Sequence, residues 1–436
     1  MAVLTLEFIL LFHNAFSSSF LLLGYSFSTI PFKSSSLDRL LRDRLHYVQI
    51  SRMLVLKVLS LRSAEYMQVY KGSQPILLSS LVTSPSHSIL IQSYDSRLRL
   101  DRRRPHNGDG FGVGYYTEPS LGPEPCIFTS IIPAWNCINL SRLASKTTSK
   151  LIFAHVRATT EGSLSDQNCH PFTCGTIMFM QNGGIGCWAH VKRRLAASLK
   201  DEWFSLVQGS TDSEWAFVLF LDSMDRMGYH PLDPERAETG FGHSVLRKAI
   251  LKTIERINTL IKEIPEDNKA GDGRSLLNFA VTDGHSVVCS RYVNSRTDEA
   301  ASLFWSSGTN WREVGVKDGE GRSDYKMERC DKGADIVLVA SEPLTFERDN
   351  WVTVPTNSTL TIHKQTVMVH PIVDEFYIAN PSHTRSSKFA QTKGQTITNA
   401  KKEVLTPGTA TPSLARPHPL PHPDLLHGSL AELTAL

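Results

Sequence analysis

Apolar residues recur along this chain in two rhythms. Two long segments have helical period. Asp212 to Met227 opens on a Ser/Thr/Asp start and turns Trp215, Ala216, Leu219 and Phe220 inward. His243 to Ile264 repeats Val245, Leu246, Ala249, Ile250, Ile254, Ile257, Leu260, Ile261 and Ile264. The other runs are short and strand-like: Cys126–Ile132, Leu151–Val156, Thr176–Met180, Ile336–Ser341, Trp351–Val354 and Leu360–Val369. Leu276–Val281 and Val287–Tyr292 flank Thr282-Asp283-Gly284-His285, whose Asp-Gly pair predicts a hairpin. Ile76 to Ile91 reads as one helix or two short ones around Pro85. Asn107 to Tyr116 alternates glycine with bulky residues and no helix pattern follows it. It predicts a turn feeding a strand with close backbone approach, not a dinucleotide fingerprint. Two helices between batches of strands predict helices packed on β-sheets rather than repeated βαβ units.

This texture holds from Val69 to about Pro381 and changes at both ends. In residues 1–68 the apolar runs Phe8–Phe12 and Phe20–Leu23 are interrupted by His13, Asn14 and three serines, and the only early charge is Glu7. A secretory signal needs a basic start and a continuous apolar core, and a membrane helix needs about 20 predominantly apolar residues. Basic residues enter only from Lys33, late for a mitochondrial presequence. Residues 1–68 are expected to be a poorly packed extension, and 382–436, polar and then rich in proline, a disordered tail. Hydrophobic residues at 41% and charged residues at 20% support a large core. A net charge of +3 over 436 residues argues for neither nucleic acid nor an acidic partner, and Arg102-Arg103-Arg104 reads as a solvated face. The seven cysteines are odd in number and lack CxxC or Cys/His ligand spacing. That argues against a disulfide framework or a metal site and for a reducing compartment.

Polar groups fall at the ends of the apolar strands, where a rigid scaffold holds side chains over a pocket. Arg157 follows one strand, Asn182-Gly183 ends another, and Asp212 opens a helix. A cation, outward backbone N–H groups and an anion suit a substrate bearing a carboxylate, a carbonyl to be attacked and an ammonium. Plainer readings of the same residues are a core salt bridge for Arg157, a helix cap for Asp212, a tight turn for Asn182-Gly183 and a loop-fixing side chain for His170.

Ala154-His155-Val156-Arg157, Asn168-x-His170-Pro171, Asn182-Gly183-Gly184 and Thr211-Asp212-Ser213-Glu214, in this order and spacing, resemble the type 2 (class II) glutamine amidotransferases. These are N-terminal-nucleophile hydrolases. Ser86-His87-Ser88, Tyr94 to Asp101, Asn107 to Gly112, Pro133 to Asn136 and Ala340 to Leu344 are similar to one subfamily, the amidotransferase subunits of the fungal cytosolic glutathione-degrading complex. The resemblance implies an α+β fold over 69–381, a four-layer αββα sandwich of two antiparallel sheets. It implies an amidohydrolase acting on the γ-glutamyl amide bond of glutathione or glutamine, cytoplasmic, with no cofactor and a metallopeptidase-like partner subunit. Carried over by residue, Arg157 would bind the α-carboxylate and Asp212 the α-ammonium. Asn182 (side chain) and Gly183 (backbone N–H) would form the oxyanion hole, and Thr160 and His170 would shape the pocket.

The family's nucleophile is a cysteine at residue one, with its own α-amine, of pKa about 7.7–8, as general base. Val69-Tyr70-Lys71-Gly72 matches the end of the family's first strand, and counting back puts Glu65 in the cysteine's place. No cysteine precedes Cys126, and Cys169 and Cys187 read as small apolar fillers. Gln181 stands where relatives carry histidine. The family pattern stops abruptly at Gln68, so 1–68 is expected to be translated sequence from outside the true first exon. The alternative to a hydrolase is a catalytically inactive, γ-glutamyl-binding scaffold subunit of a peptidase complex.

Overall fold

The computed structural model describes residues 65–398 apart from 95–107, 159–163, 266–271, 316–318, 320–321, 331–332, 346, 381–382 and 396. Among the described residues fifteen strands follow in chain order. They are β1 (Tyr66–Leu77), β2 (Phe111–Tyr115), β3 (Cys126–Ser130), β4 (Thr148–Val156), β5 (Phe172–Cys174), β6 (Ile177–Gly184), β7 (Leu276–Thr282) and β8 (Ser286–Arg291). After them come β9 (Phe304–Gly308), β10 (Asn310–Val314), β11 (Asp324–Glu328), β12 (Ile336–Ala340), β13 (Val352–Thr353), β14 (Ser358–His363) and β15 (Thr366–Pro371). One seven-stranded sheet has the order β13-β9-β12-β1-β4-β2-β3, and a six-stranded sheet has the order β15-β14-β8-β7-β6-β5. Every pairing within both sheets is antiparallel.

Alternation along each strand builds the layers. Met67 and Val69 of β1, with Phe153 and Val339, face Met178, Met180, Ala280 and Leu360 of the second sheet. Tyr66 and Tyr70 turn the other way, onto a layer that includes α1 (Ile89–Tyr94) and α2 (Ile138–Ala144). The outer face of the second sheet, with Phe179, Phe279 and Val281, is covered by α3 (Trp188–Ser198), α4 (Asp212–Arg226) and α5 (His243–Lys262). The result is the four-layer αββα sandwich. Each fully buried side chain such as Phe220 or Ile254 contributes about 1.5–3 kcal/mol. Among the described residues, no helix is long and apolar enough to cross a membrane.

The structure shifts the expected boundaries. Tyr66, Met67 and Gln68 are buried in β1, opposite Val156, His155 and Ala154. Ladder pairing uses backbone groups, so it continues past the point where the side-chain motif stops. At the other end, α6 (Lys388–Thr392) lies within the stretch expected to be disordered. Phe389 packs in a cluster with Leu276, Val293 and Ala300, with the Arg274 guanidinium 4.0 Å from its ring centre. The expectations for 1–64 and 399–436 lie outside the described residues. Leu360–Val369 is two strands, because the chain turns back through Lys364 at φ 53°.

Candidate active site

The site lies at the end of the sandwich where β1 begins and β4 and β6 end. Tyr66 pairs with Val156, so the next step of the ladder sets Glu65 opposite Arg157. The Arg157 N–H donates to the Gly110 carbonyl at 2.9 Å, and the side chain is 2% exposed. Gly110 and Gly112 let this turn come close. A Cβ on Gly112 would stand 2.0 Å from the His170 carbonyl oxygen.

Gly183 is at φ 130°, where a side chain is strained, and a Cβ there would lie 2.1 Å from the Leu276 carbonyl oxygen. Asn182 beside it is wholly buried, and its Nδ2 lies 2.9 Å from Ser341 Oγ. Asp212 is the first residue of α4, behind Thr211, whose hydroxyl accepts the Glu214 N–H. Asp212 Oδ2 accepts the Ile185 N–H at 2.8 Å, which ties the helix start to the exit of β6. Glu214 takes the N–H groups of Gln208 and Gly209, each at 2.7 Å, and Asn168 Oδ1 takes that of Ser210 at 2.8 Å. These bonds fix the approach to Asp212.

Glu65 is the electrostatic centre. Burial pushes its carboxyl up to about 8; Asp212 raises it further, Arg157 and a hydrogen bond from the Gly183 backbone N–H lower it, and Asp109 raises it. The residue keeps partial solvent contact, yet its Oε2 is sealed and has no hydrogen-bond partner. Three of the anticipated residues, Arg157, Gly183 and Asp212, therefore gather on Glu65, and Asn182 adjoins them.

His170 stands beside His155, their ring centres 4.0 Å apart. His155 Nε2 is 3.1 Å from the Gln181 carbonyl. Pairing of β5 with β6 ends at Phe172 opposite Phe179, so the imidazole reaches that carbonyl where the ladder has run out. Burial pushes His155 down to about 3, and burial, with His155 and Arg157, pushes His170 well below the imidazole range; both rings are neutral at physiological pH. Thr160 lies outside the described residues. Cys169 is buried against the Ser130 and Ser165 carbonyls, and burial pushes its thiol up to about 11.

Sequence reasoning gave no role to His155, Ser341 or Asp109, although each stands inside a quoted motif. Their partners are distant in sequence, and only the assembled sheets bring them to the site.

Several known proteins are similar to this chain. A family profile described as class-II glutamine amidotransferases matches residues 86–385. A curated relative from Saccharomyces cerevisiae, "Probable glutamine amidotransferase DUG3", is 55% identical over 328 residues, 75% of this chain and 89% of that protein. A solved class-II glutamine aminotransferase domain protein from Silicibacter pomeroyi aligns over 71% of this chain and 100% of its own, with 21% identity and a TM-score of 0.44. A predicted glutamine amidotransferase from Pseudomonas aeruginosa aligns over 69% of this chain and 98% of its own, with 18% identity and a TM-score of 0.41. By the profile match and the curated relative, this chain belongs to the class-II glutamine amidotransferases.

Proposed function

We propose that this chain carries the γ-glutamyl pocket of an amidohydrolase acting on glutathione or glutamine, and that the pocket as it stands is chemically silent. Arg157 holds the α-carboxylate through its planar fork. Asp212, one oxygen of which is already fixed by the Ile185 N–H, holds the α-ammonium. Asn182 and Gly183 supply donors to the oxygen that gains negative charge, where a lost donor costs about 2.7–4 kcal/mol of barrier. His170 and Thr160 bound the pocket.

The observation that carries the reading is the place of Glu65. Its carboxyl takes the Gly183 N–H, with Asp212 and Arg157 as charged neighbours, where the family's thiol and its tetrahedral adduct would meet. A carboxylate does not replace the thiolate. Its attack on an amide would give an anhydride, far above the amide in energy, and its backbone nitrogen is a peptide amide with no base to offer. The subfamily motifs extend the reading to glutathione catabolism in the cytoplasm beside a metallopeptidase-like partner subunit. A γ-glutamyl-binding scaffold in such a complex is the second reading, and Glu65 favours it for the chain as it stands.

The test is a chain starting at residue 65 with Glu65→Cys behind a removable initiator Met, so that the new side chain sits beside a free amine. Glutamate release from glutamine or glutathione is expected from this variant, absent from the full chain, and lost again on Arg157→Ala. A folded variant that binds and hydrolyses neither compound would remove the assignment.

A further inference from the structure

Resting on this reading of the pocket, we infer that Ser341 is a positioning residue that turns the Asn182 side-chain amide so that its NH2 group faces the reacting oxygen. Ser341 follows β12 and is 1% exposed. Its Oγ lies 2.9 Å from Asn182 Nδ2 and accepts the Met67 N–H at 3.1 Å. The Ser341 N–H returns to the Met67 carbonyl at 3.0 Å, and the Ser341 carbonyl accepts the Ser302 hydroxyl at 2.8 Å. The serine is held through both backbone groups, so its hydroxyl stays against Asn182.

With Asn182 donating, Ser341 Oγ accepts twice, and among the described residues its own hydrogen is unused and the buried Asn182 Oδ1 has no partner. The oxygen and nitrogen of an amide are nearly the same size, and half a turn about the last side-chain bond exchanges them without moving other atoms. The Ser341 hydroxyl then donates to Oδ1 over the same 2.9 Å and still accepts the Met67 N–H. The Nδ2 hydrogens replace the unpartnered oxygen, one residue from the Gly183 N–H. This orientation offers donors to an oxygen gaining negative charge, whereas a carbonyl oxygen there would repel it. Ser341 acts only through Asn182.

The test uses the full chain carrying Glu65→Ala, which clears the carboxyl from the Gly183 N–H. Calorimetry compares two ligands with the same amino-acid head and carbon count: L-glutamate, which has γ-carboxylate oxygens, and L-norvaline, which has none. Adding Ser341→Ala is expected to weaken glutamate about 10-fold, the order of a hydrogen bond to a charged group, and to leave norvaline unchanged. Ser341→Thr keeps the hydroxyl and is expected to restore glutamate. Norvaline binding also reports that the Ser341→Ala chain is folded; if it is not, Ser341→Cys, with its weaker donor, gives the same split. Equal losses for both ligands, or undiminished glutamate binding, overturn the inference and leave the pocket reading standing. Failure of both ligands to bind the Glu65→Ala chain overturns the pocket reading and the inference with it.

Discussion

Replacing Glu65 by glutamine keeps the side chain's shape and its acceptor for the Gly183 N–H while removing the charge. The folded-state carboxyl titrates at about 8 against 4.5 for the free group. Burial, then Asp212 and Asp109, oppose ionisation more than Arg157 and Gly183 favour it. Between those values the native state holds a proton that the unfolded chain has released, so stability falls as pH rises. One full proton corresponds to about 1.4 kcal/mol per pH unit, and the whole shift to about 5 kcal/mol. Because Glu65 keeps some solvent contact, screening trims this to about 2 kcal/mol, and coupling to Asp212 broadens the transition. Urea unfolding of the full wild-type and Glu65→Gln chains is the assay, run from pH 4.5 to 8.5. The two are expected to match at the acid end. The glutamine variant should be about 2 kcal/mol more stable at the alkaline end. A difference independent of pH, or a glutamine variant less stable at pH 8.5, would refute the reasoning that this carboxyl is held against its own charge.

Gly183→Ala is expected to cost about 3 kcal/mol or more, seen as a lower urea midpoint, because the new methyl meets the Leu276 carbonyl at a positive φ. Gln181 is wholly buried with both side-chain amide atoms unpartnered, so Gln181→Met should stabilise the chain by about 1 kcal/mol and raise its melting temperature. Phe389→Ala removes the ring beneath the Arg274 guanidinium and should loosen α6 by about 3 kcal/mol, read as faster proteolysis between residues 376 and 398.

The parts of the fold legible in the sequence were those whose signal is local. The apolar stripe of His243–Ile264 and the capped start at Thr211-Asp212 marked α5 and α4 to within a residue or two. Asp283-Gly284 marked the β7–β8 turn, and Arg157 and Asn182-Gly183 were found at strand ends. Counting back from Val69 located Glu65. Helix α3 escaped because it starts behind Cys187 at φ 51° with no side-chain cap, and its buried face is only Trp188, Val191 and Leu195. The pairing of Asn182 with Ser341 spans 159 residues, and no periodicity near either residue announces it. Phe389 looked like part of a polar tail because the cluster that receives it comes from β7 and the loops near Val293 and Ala300.

Gly183 belongs to a strand, opposite Leu277 in the ladder, and not to a surface loop. Its backbone is therefore anchored by the same pairing that holds the second sheet together, while its N–H turns to Glu65. Regions of this kind expose their amides to solvent only through large, cooperative openings. The pocket consequently lacks a private way to come apart. Under rising denaturant, ligand recognition and sheet structure should disappear at one midpoint.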